Sequence, residues 1–188
     1  EQTRAIQSVI NTGKRVTLLF GVTGSGKTEV YLRLINETLK KGKTAIMLVP
    51  EIALTPQMLG QLRARFEGSV SILHSGLSAG ERYDEWLKLK TGESKIAIGA
   101  RSAIFAPLEN VGIIIVDEEH DSSYDAETSP RYKTVEIAIK RAAETGAKVV
   151  LGSATPSIES YDKALSGEYN LSEMKTRING KQLPEFIV

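Results

Sequence analysis

The chain has 188 residues, is 41% hydrophobic and 25% charged, and sets 24 Lys plus Arg against 23 Asp plus Glu for a net charge of +1. That size and apolar content suit one globular α/β domain with a real core, and the near-neutral balance excludes a bulk pull toward nucleic acid or membrane, so any nucleic-acid contact must come from a local patch. With no cysteine, disulfides and thiolate metal sites are excluded; the sequence in hand shows no signal-peptide pattern and no apolar run long enough to span a bilayer.

Gln2 to Ile10 predicts a helix with Ala5, Ile6, Val9 and Ile10 on one face, stopped by Asn11-Thr12-Gly13. The apolar run Val16 to Phe20 reads as the first strand. Directly after it stands Gly21-Val22-Thr23-Gly24-Ser25-Gly26-Lys27-Thr28, a phosphate-loop pattern. A helix follows to about Lys41, with Tyr31, Leu34, Ile35, Thr38 and Leu39 on its apolar face, and Gly42 ends it. Gly21, Gly24 and Gly26 permit backbone angles and a close approach that a side chain would block. Successive N–H groups across Thr23 and Ser25 then curl round a phosphate, backed by the positive end of the helix dipole. Lys27 is expected to reach the β- and γ-phosphates, and Thr28 to ligate Mg²⁺. The competing reading, a glycine-rich turn that only caps a helix, leaves the Lys and Thr at those positions without a role.

Short apolar runs recur at Thr44 to Val49, Val70 to Leu73, Lys95 to Gly99, Gly112 to Val116 and Lys148 to Leu151. They lack clean alternation, as expected of strands covered on both faces. Helical segments separate them: Thr55 to Phe66 with Pro56 in its first turn, Ala79 to Leu89 behind Ser78 as N-cap, and Thr134 to Glu144 closed by Gly146. A last helix is expected from near Pro156, capped by Ser153 or Thr155, to Gly167. In the second of these, Tyr83, Trp86, Leu87 and Lys90 share one side, and Trp86 reads as a packing residue. The alternation predicts an α/β fold with a mostly parallel central sheet and helices on both faces, whose ligands bind at the carboxyl ends of the strands. Residues 1–170 form the expected domain, and residues 171–188 read as a terminal strand or a linker. The chain starts at Glu1 without a methionine and stops at Val188, which suggests a piece of something larger.

The strand Gly112 to Val116 leads straight into Asp117-Glu118-Glu119-His120. Acids delivered by a buried strand are costly unless used or paired. In a phosphate-loop enzyme Asp117 would hold Mg²⁺ and Glu118 would orient and deprotonate the attacking water. A solvated acidic turn is the plainer alternative, disfavoured once the phosphate loop is considered. Gly152-Ser153-Ala154-Thr155-Pro156 follows another buried strand, where the Ser153 and Thr155 hydroxyls can pair with Asp117 or His120 and relay the state of the nucleotide.

Together the phosphate loop, the Asp-Glu-Glu-His box and Ser-Ala-Thr resemble the first motor lobe of a superfamily 2 helicase, a RecA-like phosphate-loop domain. More narrowly, residues 21–31, 48–57, 74–78, 101–107, 117–124 and 152–157 resemble the bacterial primosomal helicases that restart stalled replication forks, in the same order and spacing and over nearly the whole chain. The resemblance implies an ATP-driven 3′-to-5′ DNA helicase with ATP and Mg²⁺ as cofactors. The implied partners are single-stranded or forked DNA, a second RecA-like lobe, and primosome and single-strand-binding proteins; no membrane is implied. The implied location is the bacterial cytoplasm, with the nucleoid. It assigns Lys27, Asp117, Glu118 and His120 to catalysis, and Gln2 to reading the adenine edge. Pro50, Thr55, Gln57, Arg101 and Ser102 fall to the single-strand track, where phosphates are held without base reading. His74 matches a family position as well as it matches a structural histidine.

The loop 121–132 resembles the aromatic-rich loop that couples DNA binding to hydrolysis, with Tyr124, Arg131 and Tyr132 offering stacking and cation–π contacts. It departs from the family pattern at Asp125, where a lysine is expected, and at Lys133-Thr134-Val135-Glu136. In this family ATP is cleaved between two lobes, and the second contributes arginines worth roughly a thousandfold or more in related phosphoryl transfers. Nothing in this chain resembles that lobe, so weak nucleotide binding and slow hydrolysis are expected of it alone. Two other readings stay open: a self-sufficient phosphate-loop kinase or GTPase, although neither an Asn-Lys-x-Asp pattern nor an arginine-rich lid is present, and a non-catalytic docking module for primosome partners or single-stranded DNA.

Overall fold

A computed structural model describes residues 1–126 and 128–177. The elements alternate as expected: α1 (Gln2–Asn11), β1 (Val16–Gly21), α2 (Lys27–Lys40), β2 (Thr44–Leu48), α3 (Pro56–Phe66), β3 (Val70–Leu73), α4 (Ala79–Thr91) and β4 (Ile96–Gly99). They continue with β5 (Val111–Asp117), α5 (Thr134–Thr145), β6 (Lys148–Ser153), α6 (Ile158–Leu165) and β7 (Asn170–Met174). All neighbouring strands pair in parallel, in the order β3-β4-β2-β5-β6-β1-β7. The expected mostly parallel sheet is therefore wholly parallel among the described residues. β7 (Asn170–Met174) brings residues 171–174 of the expected terminal segment into the sheet as its edge strand; residues 178–188 lie outside the described residues.

The unbroken apolar strands follow from burial on both faces. In β5, Ile113 and Ile115 pack with Ala5, Ile6 and Val9 of α1, Val30, Leu34 and Ile35 of α2, and Leu62 and Phe66 of α3. Ile114 and Val116 point the other way, to Ala138 and Ala142 of α5, Ala164 of α6 and Leu89 of α4. Each such Ile or Val, fully withdrawn from water, contributes about 1.5–3 kcal/mol. No described helix is long and apolar enough to cross a membrane.

Polar ties set the helix ends. Lys148 at the start of β6 donates to the carbonyls of Val9, Ile10 and Thr12 at 2.7, 3.1 and 2.7 Å, satisfying the C-terminus of α1. Ser78 and Glu81 form a reciprocal capping box at α4. Two expectations fail here. The cap of α6 is Ser157, whose hydroxyl accepts from Ser160 N at 3.2 Å, rather than Ser153 or Thr155. The side of α4 bearing Tyr83, Trp86 and Leu87 does not pack: these residues are 61, 42 and 41% exposed, and Leu89 is the buried contact.

The strand order divides the carboxyl edge into two halves. The adjacent strands β5, β6 and β1 deliver the acid box, the Ser-Ala-Thr stretch and the phosphate loop. The adjacent strands β3, β4 and β2 deliver residues 74–78, 100–106 and 49–57.

Candidate nucleotide site and nucleic-acid interface

In the first half, β1 ends at Gly21 and the chain turns through Gly24 (φ 80°) and Gly26 (φ 90°), left-handed angles that favour glycine. Gly26 caps α2, so the loop sits at that helix's positive end. Lys27 is buried; its Nζ donates to Gly21 O at 2.8 Å and lies 3.7 Å from Glu118 Oε1. The Ser25 hydroxyl is buried without a hydrogen-bond partner among the described residues. An orphaned hydroxyl, a glycine-shaped cradle and a buried ammonium together fit a nucleotide phosphate. Thr28, exposed in the first turn of α2, and Asp117, at the end of β5, supply the hard oxygen donors that suit Mg²⁺.

Asp117 is held from several sides. Its Oδ1 accepts the Tyr31 hydroxyl at 2.9 Å and the Glu118 N–H at 3.1 Å, while its carbonyl accepts the Tyr124 hydroxyl at 2.8 Å. Burial pushes the Asp117 carboxyl above the ordinary range, against the Tyr31 hydrogen bond. Burial, and then the Asp117 charge, push the Tyr31 phenol well up, so it stays a donor. Gly152 pairs opposite Asp117, and a Cβ there would lie 1.7 Å from the Tyr31 oxygen. That glycine makes the Tyr31–Asp117 bond possible.

Glu118 takes a left-handed backbone (φ 46°), uncommon for a residue with a side chain and costing on the order of 1–3 kcal/mol. The angle sets its carboxylate between Lys27 and His120, whose Nδ1 is 3.8 Å from Glu118 Oε2. His120 in turn meets Ser153 Oγ through Nδ1 at 2.8 Å and Thr155 Oγ1 through Nε2 at 3.2 Å. Lys27, Glu118, His120, Ser153 and Thr155 thus form one continuous polar line from phosphate loop to Ser-Ala-Thr stretch. Of the two partners considered for those hydroxyls, they reach His120 rather than Asp117.

In the second half, Arg101 donates to Asp125 O at 2.7 Å, and its guanidinium lies 5.8 Å from the Tyr132 ring centre. Tyr132 meets Phe105 edge-on at 5.3 Å. Arg141 of α5 binds the carbonyls of Ile104, Ala106 and Leu108, anchoring this stretch from behind. Glu51 accepts Ser75 N–H at 3.0 Å and joins the segments that follow β2 and β3. Between them opens a groove of about 650 Å³.

A helicase family model, "DEAD/DEAH box helicase", matches residues 1–164. The chain belongs to the DEAD/DEAH box helicase family. It is 57% identical over 171 residues to "Replication restart protein PriA" of Bacillus subtilis, covering 91% of this chain and 21% of that protein. The same-named protein of Treponema pallidum is 45% identical, over 98% of this chain and 28% of its own length. The chain spans about a quarter of the length of these curated relatives. Among solved structures it is similar to RecG bound to a three-way DNA junction (TM-score 0.65, 23% identity, 93% of this chain and 23% of that one). It is also similar to the Pyrococcus furiosus Hef helicase domain (TM-score 0.64, 20% identity, 93% and 36%). At those identities the likeness shows the fold, which is RecA-like.

In this helicase-family fold the expected site residues fall unevenly. Lys27, Asp117, Glu118, His120, Ser153 and Thr155 come together as described. Gln2 opens α1 beside Glu1, whose carboxylate accepts Thr176 N–H at 3.0 Å. The next residue, Arg177, runs its stem past Gly24 with Nε buried and without a partner among the described residues, a neighbour of the phosphate loop that sequence reading missed. Thr55 caps α3 by accepting Met58 N–H at 3.3 Å; Gln57 and Ser102 are exposed, and Pro50 is buried. Arg101 bonds to the backbone carbonyls of Ser123 and Asp125. Arg131 is exposed and engaged in contacts of its own. Tyr124 corrects the stacking expectation: it is 2% exposed and its hydroxyl is committed to Asp117, so its ring meets no base.

Glu119 was also missed. It is buried and accepts Ser157 N–H at 2.7 Å, Ser157 Oγ at 3.1 Å and Ser160 Oγ at 3.0 Å. It therefore ties the acid box to the start of α6. The available signal was a third acid beside Asp117 and Glu118 facing serines at positions 157 and 160.

Proposed function

We propose that this chain is the ATP-binding first lobe of a 3′-to-5′ DNA helicase acting in replication restart at stalled forks. The observation that carries the reading is the joining of phosphate loop, acid box and Ser-Ala-Thr stretch by Lys27, Glu118 and His120 at adjacent strand ends. Support for the biological role comes from the similarity to PriA, and for DNA as partner from the RecG likeness.

In this reading the loop N–H groups and Lys27 bind the β- and γ-phosphates of ATP, with Lys27 exchanging its Gly21 carbonyl for phosphate oxygen. Thr28 and Asp117 hold Mg²⁺, which when bound neutralises charge on the phosphates. Tyr31 fixes the Asp117 carboxylate. Glu118 positions the attacking water and accepts its proton, and His120 relays the position of Glu118 to Ser153 and Thr155. Gln2 reads adenine, and the opposite half of the edge holds single-stranded DNA. A second lobe supplies the missing cationic groups, so this chain alone binds ATP and Mg²⁺ with weak or no turnover.

The test is the ATP hydrolysis rate with and without single-stranded DNA, with Glu118→Gln as blank. A rate equal to the blank, with nucleotide still bound, is expected. DNA-stimulated turnover well above the blank overturns the reading of an incomplete motor.

A further inference from the structure

The groove at the ends of β3 and β4 has an aromatic wall that the proposed DNA track does not use. Trp86 of α4 is 42% exposed and lines the groove together with Arg82, His74, Arg101 and Phe105. Tyr83 lies nearly parallel to it, 18° between ring planes and 6.4 Å between centres. Phe105 is 56% exposed and braced by Tyr132. The buried contact of α4 is Leu89, so an indole left half in water adds little to the packing of this helix.

We propose that Trp86 is a base-stacking platform for single-stranded DNA, with Arg82 and Arg101 holding the adjoining phosphates. This rests on the proposed DNA-binding reading and extends its track from residues 50–57 and 101–102 onto α4. Flat aromatic faces interleaved with guanidinium groups are the arrangement that binds single strands, because every base has a π-face and every linkage a charge. The groove's lining sets two guanidinium groups, Arg82 and Arg101, against one carboxylate, Glu51, so the local balance favours an anionic occupant. The nearly parallel Tyr83 ring beside the indole adds a second flat face to the same side of α4.

Trp86 is the only tryptophan in the sequence, so its emission reports the contact directly. A labelled oligothymidylate is titrated into the chain, reading label anisotropy and tryptophan emission together. Saturable quenching that follows the anisotropy is expected. Trp86→Ala is expected to weaken binding about tenfold and Trp86→Phe to restore most of it, with urea midpoints and Mg·ATP affinity unchanged. Arg82→Gln is expected to lower the slope of log affinity against log salt by about one. Binding by anisotropy with unchanged emission and an unaffected Trp86→Ala variant overturns the platform while leaving DNA binding in place. No anisotropy change at any salt removes the DNA-binding reading and the platform with it.

Discussion

Tyr31, on the helix behind the phosphate loop, donates its hydroxyl at 2.9 Å to Asp117, on the strand that carries the acids. The bond crosses β6 over Gly152, the one residue there without a side chain to block it. Removing the hydroxyl with Tyr31→Phe is expected to weaken Mg²⁺-dependent nucleotide binding about tenfold, as loss of a bond that orients a metal ligand commonly does. Gly152→Ala is expected to cost about 1–3 kcal/mol through overpacking. Thermal unfolding of the double variant checks the coupling: Tyr31→Phe in the Gly152→Ala background is expected to recover part of that loss. Additive losses would mean that the two sites do not touch.

Lys27 and Glu118 face each other at 3.7 Å but are expected to fail differently. Lys27→Ala removes the charge that meets the phosphates, so affinity for ATP falls by at least about tenfold. Glu118→Gln keeps the binding surface and loses the proton acceptor, so affinity stays and hydrolysis falls. Fluorescent-nucleotide titration and phosphate release, measured on both variants, separate the two effects.

The buried Glu119 carboxylate holds the first turn of α6 through three hydrogen bonds. Glu119→Ala leaves the Ser157 N–H and two hydroxyls without that acceptor, and a loss of about 2 kcal/mol is expected in urea unfolding. Glu119→Gln keeps one acceptor oxygen and is expected to lose less.

Only part of this was legible in the sequence. The strands and the phosphate loop stood out because continuous β-branched runs and glycine spacing are local properties. Asp117 and Lys27 followed from the same local patterns. Tyr31 read as one more apolar position on a helix face, since periodicity reports which side is inward but not what an inward hydroxyl meets. Trp86 failed for the mirror-image reason: its register predicted packing, and among the described residues no neighbouring element covers that side of α4. Tyr124 looked available in a polar loop, yet its partner is a backbone carbonyl that no motif records. The α6 cap moved to Ser157 because Ser153 is taken by His120 and Thr155 N–H, a competition visible only in three dimensions.

Glu85 of α4 accepts Ile72 N–H of β3 at 3.2 Å and pairs with Lys88 at 2.8 Å. Burial pushes its carboxyl up, but hydrogen bonds from Lys88 and Ser71, the Lys88 charge and the Ile72 N–H outweigh it and hold the group below the ordinary value. A depressed carboxyl stabilises the fold above its unfolded-state value and loses that contribution as pH falls through the folded one. The tie between α4 and β3 is therefore expected to weaken below about pH 4.3. Urea midpoints measured across that range should fall more shallowly in Glu85→Gln than in the unaltered chain.

The central claim is that Gly21 to Thr28 binds the phosphates of ATP through Lys27. Calorimetric titration of Mg·ATP into the chain, and into Lys27→Ala with an unchanged unfolding midpoint, tests it most directly. Saturable one-to-one binding that Lys27→Ala abolishes is expected. Equal binding by both proteins, or by neither, would contradict it.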